Sequence, residues 1–471
     1  MLIVGFFALV ALASVLAFKD WRRGILLMLV IAALQDPVRK MLPGAPAFMV
    51  LCFFPVWLAT FLGAVSGKER VFGLFKSQHP QIAGWMAMLI AAMIPGVLVT
   101  LQYGGSAWIV ACLGLLSYLL PLSGLIIGVA LMRDLVALKR FMTAYCVIAA
   151  VMLIGAPLEY FEIFPNWNAL GTATLNKDWV RYISHGHTIK LHAGFYRSPD
   201  IMGWHAATLM MFSLTLFLLP GRYRAYWLGM AAWAGICLLI SGRNKMIFMP
   251  MVWAVVMLTL QIRYGRVARL GRIAAAAGVA LLAVGMVATQ GDIEDDYFLH
   301  VSTGGEGVFE RLRKDSLDTV RETYRQSGVW GIGIGSASQG RQHIDAKVGR
   351  GWQEGGLGKL IAELGLIGLV VVFITAFSIA MLLHRGLGRV PRVAETQLAY
   401  SAILGFVAAN LACFVNSHLA FSDGGVVLLA AVMLGVAMSA PYWMARREAM
   451  ERAPTSRGAR LRIQPRSVRQ Y

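Results

Sequence analysis

The sequence predicts an all-α, polytopic integral membrane protein with about 12–13 transmembrane helices and a large, partly helical loop. Three observations carry that reading. The chain is 58% hydrophobic and only 14% charged over 471 residues. Its apolar residues fall in uncharged runs long enough to cross a bilayer as helices. No long stretch alternates apolar and polar residues with period two, so a β-barrel is excluded, and helices remain the one other way to satisfy every backbone group in lipid.

The apolar runs place candidate spans near 2–18, 25–35, 46–65, 80–101, 106–131, 141–158, 201–219, 226–241, 245–262, 273–290, 357–383, 398–416 and 425–441. Met1–Phe18 lacks a basic start and a small-residue cleavage site, so it is expected to be a retained helix rather than a leader. The second run is short and stops at Asp36-Pro37, which predicts a broken or re-entrant element. The organisation that follows is N-terminal membrane helices over 1–158, a first outer loop over 159–200, central helices over 201–290, a large outer loop over 291–356, C-terminal helices over 357–441 and a basic tail over 442–471.

Charge sets the orientation. With the carboxyl tail inside, the inner segments hold 26 Lys plus Arg against 6 Asp plus Glu, a net +20, and the remainder of the chain nets −1. Basic residues gather on the cytoplasmic side of membrane proteins. The chain is therefore expected to cross a membrane several times, with the C-terminus inside and the two long loops outside. The same asymmetry removes nucleic acid as the meaning of a pI near 10.0. The arginine-rich tail is expected to lie against anionic lipid or to stay unfolded. Cys52, Cys112, Cys146, Cys237 and Cys413 all fall in predicted spans, so neither a disulfide framework nor a zinc site is indicated.

Polar chemistry concentrates in the outer segments. The 291–356 loop holds eleven acidic and eight basic residues. Its middle, 306–326, reads as an amphipathic helix with Phe309, Leu312, Leu317, Val320 and Tyr324 near one side. After it, Gly328-Val329-Trp330-Gly331-Ile332-Gly333-Ile334-Gly335 predicts a tight turn with exposed backbone, whose amides could bind an anion. A nucleotide-binding reading of those glycines lacks the strand and βαβ unit it needs. His185, His187 and His192 crowd the first loop at spacings that match no standard metal site, and no metal or other cofactor is expected. Lys359 and Glu363, four apart, are expected to neutralise each other. No Ser-His-Asp arrangement, phosphate-binding P-loop or metalloprotease motif is present.

Two arginines come out at the outer surface. Pro199 keeps Ser198 out of the helix, so Arg197 sits at the mouth of a span. Arg243, with Lys245 beside it, lies in the short turn Ser241-Gly242-Arg243-Asn244-Lys245. A planar guanidinium suits a phosphate group, and a lipid diphosphate presents one at this depth. Each arginine could equally snorkel, or pair with an acid such as Asp200. Glu354, at the junction of the large loop and the next span, could accept a proton from a sugar hydroxyl or simply favour a helix start.

Four motifs in this order resemble the O-antigen ligases and O-antigen polymerases. The string Leu360-Ile361-Ala362-Glu363-Leu364-Gly365-Leu366-Ile367-Gly368-Leu369 is similar to the family's segment after its large periplasmic loop. Gly331-Ile332-Gly333-Ile334-Gly335, Ser241-Gly242-Arg243 and Gly194-Phe195-Tyr196-Arg197-Ser198-Pro199-Asp200 resemble three further family segments, the second with a glycine inserted. The likeness covers roughly 190–440. It implies a GT-C-like architecture and a metal-independent glycosyltransferase that takes oligosaccharide from undecaprenyl diphosphate at the periplasmic face. Arg197 and Arg243 would then bind the diphosphate, and the location would be a bacterial inner membrane with the C-terminus cytoplasmic and the large loop periplasmic. Lys245, Arg341, His343 and Asp345 are further accessory candidates. The chain departs from the ligases where they carry a His-Asn pair, because Glu354-Gly355 stands there. That shifts the expectation from lipid A-core ligation to exopolysaccharide or O-antigen polymerisation, with Glu354 as base or the base elsewhere, His343 and Asp345 being nearby in sequence. The implied partners are the lipid-linked oligosaccharide, a glycan or lipid acceptor, membrane lipid and other polysaccharide-assembly proteins. A lipid-linked glycan transporter and a non-catalytic assembly partner are the competing classes.

Overall fold

The computed structural model describes residues 1–67, 69–163, 180–182, 188–264, 319–344, 355–391 and 393–452. Helices dominate them. In chain order they are α1 (Leu2–Lys19), α2 (Trp21–Met41), α3 (Phe53–Ser66, entered through the 3-10 turn Ala47–Leu51), α4 (Val71–Gln78), α5 (Pro80–Leu101), α6 (Ala107–Leu131), α7 (Leu135–Leu153), α8 (Gly155–Tyr160), α9 (Pro199–Leu218), α10 (Arg224–Ile240), α11 (Asn244–Arg263), α12 (Thr319–Ser327), α13 (Gly356–Leu387), α14 (Ala394–Asn416) and α15 (Gly424–Arg452). Between α8 and α9 a short antiparallel hairpin pairs β1 (Val180–Tyr182) with β2 (Thr188–Lys190), Arg181 opposite Ile189.

Ten helical segments among the described residues are long and apolar enough to cross a membrane, and the chain is a multi-pass membrane protein. Their outward faces are what lipid requires: Leu98, Ile94, Phe373 and Phe377 are exposed, the last at 67%. Inside, small residues let helices approach. A Cβ on Gly128 of α6 would stand 2.1 Å from the Val432 carbonyl of α15, and one on Gly435 would stand 2.2 Å from that of Leu125. Lipid tails are as apolar as the core, so close packing of this kind has to hold the helices together. One large core cluster runs through α1, α2, α3, α7, α9, α14 and α15; a second joins Leu89 and Met93 of α5, Ala111 and Tyr118 of α6, Ile334, and Leu360, Ile361 and Leu364 of α13.

Several expectations are corrected here. Residues 25–35 do not end or re-enter at Asp36-Pro37; α2 continues through Pro37 to Met41. The proline removes one ladder hydrogen bond, and side-chain partners beyond the helix hold the last turn, with Arg39 Nε donating to the Ala45 carbonyl at 3.0 Å. The run at 226–241 forms α10, an apolar helix of 17 residues. The run at 273–290 lies outside the described residues, as do residues 306–318 of the amphipathic segment, whose end is α12.

The largest correction concerns the glycine-rich turn, which is not an exposed anion cradle. It sinks between α5, α6 and α13. Ile332 N donates to the Ala362 carbonyl at 2.7 Å and Ile334 N to that of Gly96 at 3.0 Å, while Thr100 Oγ1 donates to the Ile334 carbonyl at 2.9 Å. Gly331, Gly333 and Gly335 all have positive φ, and a Cβ on Gly335 would sit 2.2 Å from the Val110 carbonyl. Only glycine meets both demands. The turn also stabilises a break in α13: Gly365 has φ 68, ψ −170, and Leu366 N donates across to the Val329 carbonyl at 2.8 Å. Irregular backbone at membrane depth persists when it is buried in protein and bonded in this way.

Candidate functional site

One end of the bundle collects the C-termini of α2, α8, α10 and α14 and the N-termini of α9, α11, α13 and α15. Arg197 lies there just before α9, where Ser198 caps the helix by accepting from Ile201 N at 3.4 Å. Its guanidinium meets Asp423 at 2.5 Å and Asp36 at 3.3 Å, and its own backbone N–H donates to Asp36 at 3.1 Å. Asp423 is itself the cap of α15, accepting from Val426 N at 2.9 Å. Thus one arginine fastens α2 to α15 beneath the entry to α9.

The electrostatics of this cluster are nearly closed. Burial opposes the charge of Arg197, and Asp423 and Asp36 more than offset it, so the guanidinium is held protonated above its ordinary value. Burial pushes the Asp423 carboxyl up, but Arg197, the Val426 amide and His205 pull it below the usual carboxylate value. Neighbouring groups continue the network. Lys40 Nζ donates to the Gly194 carbonyl at 2.6 Å. Glu159 accepts from Gly194 N at 2.5 Å and Ala193 N at 3.0 Å. His192 approaches Glu159 to 3.8 Å, yet burial and then Lys190 push it down to about 4, so the contact is not an ion pair at neutral pH. By formal charge, Asp36, Asp423 and Glu159 match Arg197, Arg39 and Lys40.

Arg243 makes a separate pair. It precedes α11 and reaches Asp200 in the first turn of α9 at 3.0 Å. Arg197 and Arg243 are therefore tied to the same helix start, one preceding it in the chain and the other bonded to its acid. Both are mostly buried, with side chains 14% and 18% exposed. The pairing alternative raised by the sequence is realised, but Asp200 takes Arg243 rather than its near neighbour Arg197. Lys245, in the first turn of α11, is half-buried.

The large loop touches this end through the turn after the glycines. Arg341 and the backbone of His343 lie in a 3-10 turn, Gln339–His343, and Gln339 accepts from Ser422 Oγ at 2.7 Å, next to Asp423. Glu354 and Asp345 lie outside the described residues, as do His185 and His187. Deeper in the bundle, Glu363 does more than neutralise Lys359, whose Nζ is 4.0 Å away. It accepts from Tyr118 Oη at 2.6 Å, Ala337 N at 3.1 Å and Ser338 Oγ at 3.4 Å, which pins the glycine turn to α6 and α13. Among the described residues no cluster could hold a metal ion, and all five cysteines are free.

Asp36 and Asp423 are the functional candidates that sequence reasoning passed over. A usable signal was present: an acid inside or at the edge of an apolar run faces the bundle and finds a partner. The partner could not be read from the sequence, because Arg197 is 161 residues from Asp36 and more distant still from Asp423. Compared with known protein families and with curated proteins, the chain matches none.

Proposed function

We propose that the protein transfers or polymerises oligosaccharide from a polyprenyl-diphosphate carrier, at the end of the bundle marked by Arg197 and Arg243. The charge asymmetry of the sequence supports putting that end on the outer side of the membrane, which in this reading is the periplasmic face of a bacterial inner membrane. The observation that carries the reading is the convergence of the two arginines on the start of α9, the end of a helix long and apolar enough to cross a membrane. Preorganised guanidinium groups suit a reaction whose leaving group is a diphosphate.

In the proposed step an acceptor-sugar hydroxyl attacks the anomeric carbon of the donor. The new C–O bond forms as the bond to the diphosphate oxygen breaks, and the lipid diphosphate leaves with the electron pair. The hydroxyl proton passes to a carboxylate, with Glu354 in that role. The arginine pairings sort the roles further. Arg197 joins Asp36 and Asp423 beside the start of α9, and Arg243 reaches the acid in its first turn. In this reading Arg243 binds the donor diphosphate, and Arg197 binds it or positions the start of α9.

The test uses purified protein in proteoliposomes with a lipid-diphosphate-linked oligosaccharide. Arg243→Ala and Glu354→Gln should each abolish long-chain product at unchanged protein level. Normal chain length in both would sink the assigned roles. A single transfer onto a lipid A-core acceptor would make the protein a ligase. Movement of glycan across the bilayer with no new glycosidic bond would make it a transporter.

A further inference from the structure

Behind the Arg197 ion pairs lies a small cavity between α2, α7, α9 and α15. Its polar lining is Asp36, Asp423, Tyr145, Tyr196 and His205, and its remaining walls are aliphatic. It has room for about one water molecule, far too little for a sugar or a phosphate. His205 is the anomaly. Every residue of α9 from Pro199 to Leu216 is buried except His205, which keeps accessible surface in the middle of the buried face. The ring is held firmly: it stacks on Tyr196 with centroids 4.7 Å apart, and its Nδ1 shares a proton with Tyr145 Oη at 2.8 Å. Its position is fixed, and it lines the cavity.

We propose that His205, Asp36 and Asp423 form a hydrated proton-exchange site within the bundle, with water as the ligand and His205 as the group that takes up the proton. The groups facing the imidazole are Asp36 from α2, Tyr145 from α7, Tyr196 and Arg197 from the approach to α9, and Asp423 from the start of α15. Burial and Arg197 disfavour a charged ring and Asp423 favours one, and the hydrogen bond to Tyr145 engages Nδ1, which leaves Nε2 as the exchanging nitrogen. A proton entering from water at the cavity moves onto imidazole nitrogen and leaves the same way, so charge and atoms balance with no other reactant. The site does not depend on the reading of the protein as a glycan transferase, in which Glu354 takes the acceptor proton.

The test needs no glycan donor. Full-length protein with nitrogen-15 histidine, in lipid bilayers, is titrated by NMR, and His205→Gln identifies the His205 signals among nine histidines. If that variant does not fold, Tyr145→Phe identifies them by perturbation. The His205 ring should change protonation with pH and exchange with water, and Asp423→Asn should weaken its proton affinity about tenfold. A ring that stays in one tautomer from pH 4 to pH 9 overturns the proposal, since it is then a packing side chain. A ring that titrates identically in Asp423→Asn and Asp36→Asn also overturns it. Glycan synthesis by the Arg243→Ala variant is scored separately, so failure of the transferase reading is distinguishable from failure of the proton site.

Discussion

Replacing Glu363 by alanine should be among the most damaging single changes in this protein. The carboxylate is fully buried and serves Tyr118, Ala337, Ser338 and Lys359 together. Glu363→Ala leaves Lys359, 6% exposed, as a buried cation without its counter-ion, a situation that costs about 3–5 kcal/mol. It also strands the Ala337 N–H and the Tyr118 hydroxyl, at about 1–3 kcal/mol each. These terms overlap because one relaxation relieves all of them, so the expected net loss is about 4 kcal/mol rather than their sum. Glu363→Gln keeps an acceptor oxygen and removes only the charge, so about half that loss is expected. The assay is reversible unfolding in mixed detergent–lipid micelles, combined with a double-mutant cycle to Lys359→Ala. A loss below about 1 kcal/mol for Glu363→Ala, or no coupling to Lys359, would refute the view that this carboxylate pins the glycine turn. A local readout accompanies it: a cysteine at Ser338 should react faster with a polar maleimide once Glu363 is gone.

Other outcomes follow from the same geometry. Gly335→Ala forces a Cβ into the Val110 carbonyl at a φ of +83 and should cost more than about 3 kcal/mol, seen as loss of folded protein on size exclusion. Glu69→Ala, by contrast, removes a carboxylate shared by Arg22 and Arg133 on an exposed surface and should cost less than about 1 kcal/mol in the same unfolding assay. The folded-state pKa of Asp423 lies below its ordinary 3.8, so its contribution to stability is complete above about pH 4 and is lost as the pH falls below that. Asp423→Asn should therefore flatten the acid limb of the stability profile. Arg197→Ala takes the cation from two buried carboxylates and should lower folded yield more than Arg243→Ala, which takes it from buried Asp200 and should in addition lose donor binding.

What could be read from the chain alone was set by local solvent preference. Apolar run length placed most of the membrane helices, because backbone and side chain must each satisfy lipid within one segment. Proline and serine placed Arg197 outside α9 for an equally local reason. Asp36-Pro37 misled because the rule counts ladder hydrogen bonds, whereas α2 is carried past the proline by partners from elsewhere in the chain. The glycine turn misled in the opposite sense: its sequence specifies positive φ, and identical glycines suit a solvated loop or a backbone pressed against helices. Which of those occurs depends on Gly96, Gly114 and Ala362 offering room and carbonyl groups. The pairing of Arg197 with Asp36 and Asp423, the capture of Asp200 by Arg243, and the opening beside His205 were likewise decided only in three dimensions. Buried charges must be neutralised by whatever the packing brings within about 4 Å, and that choice is a property of the assembled bundle, not of any segment in it.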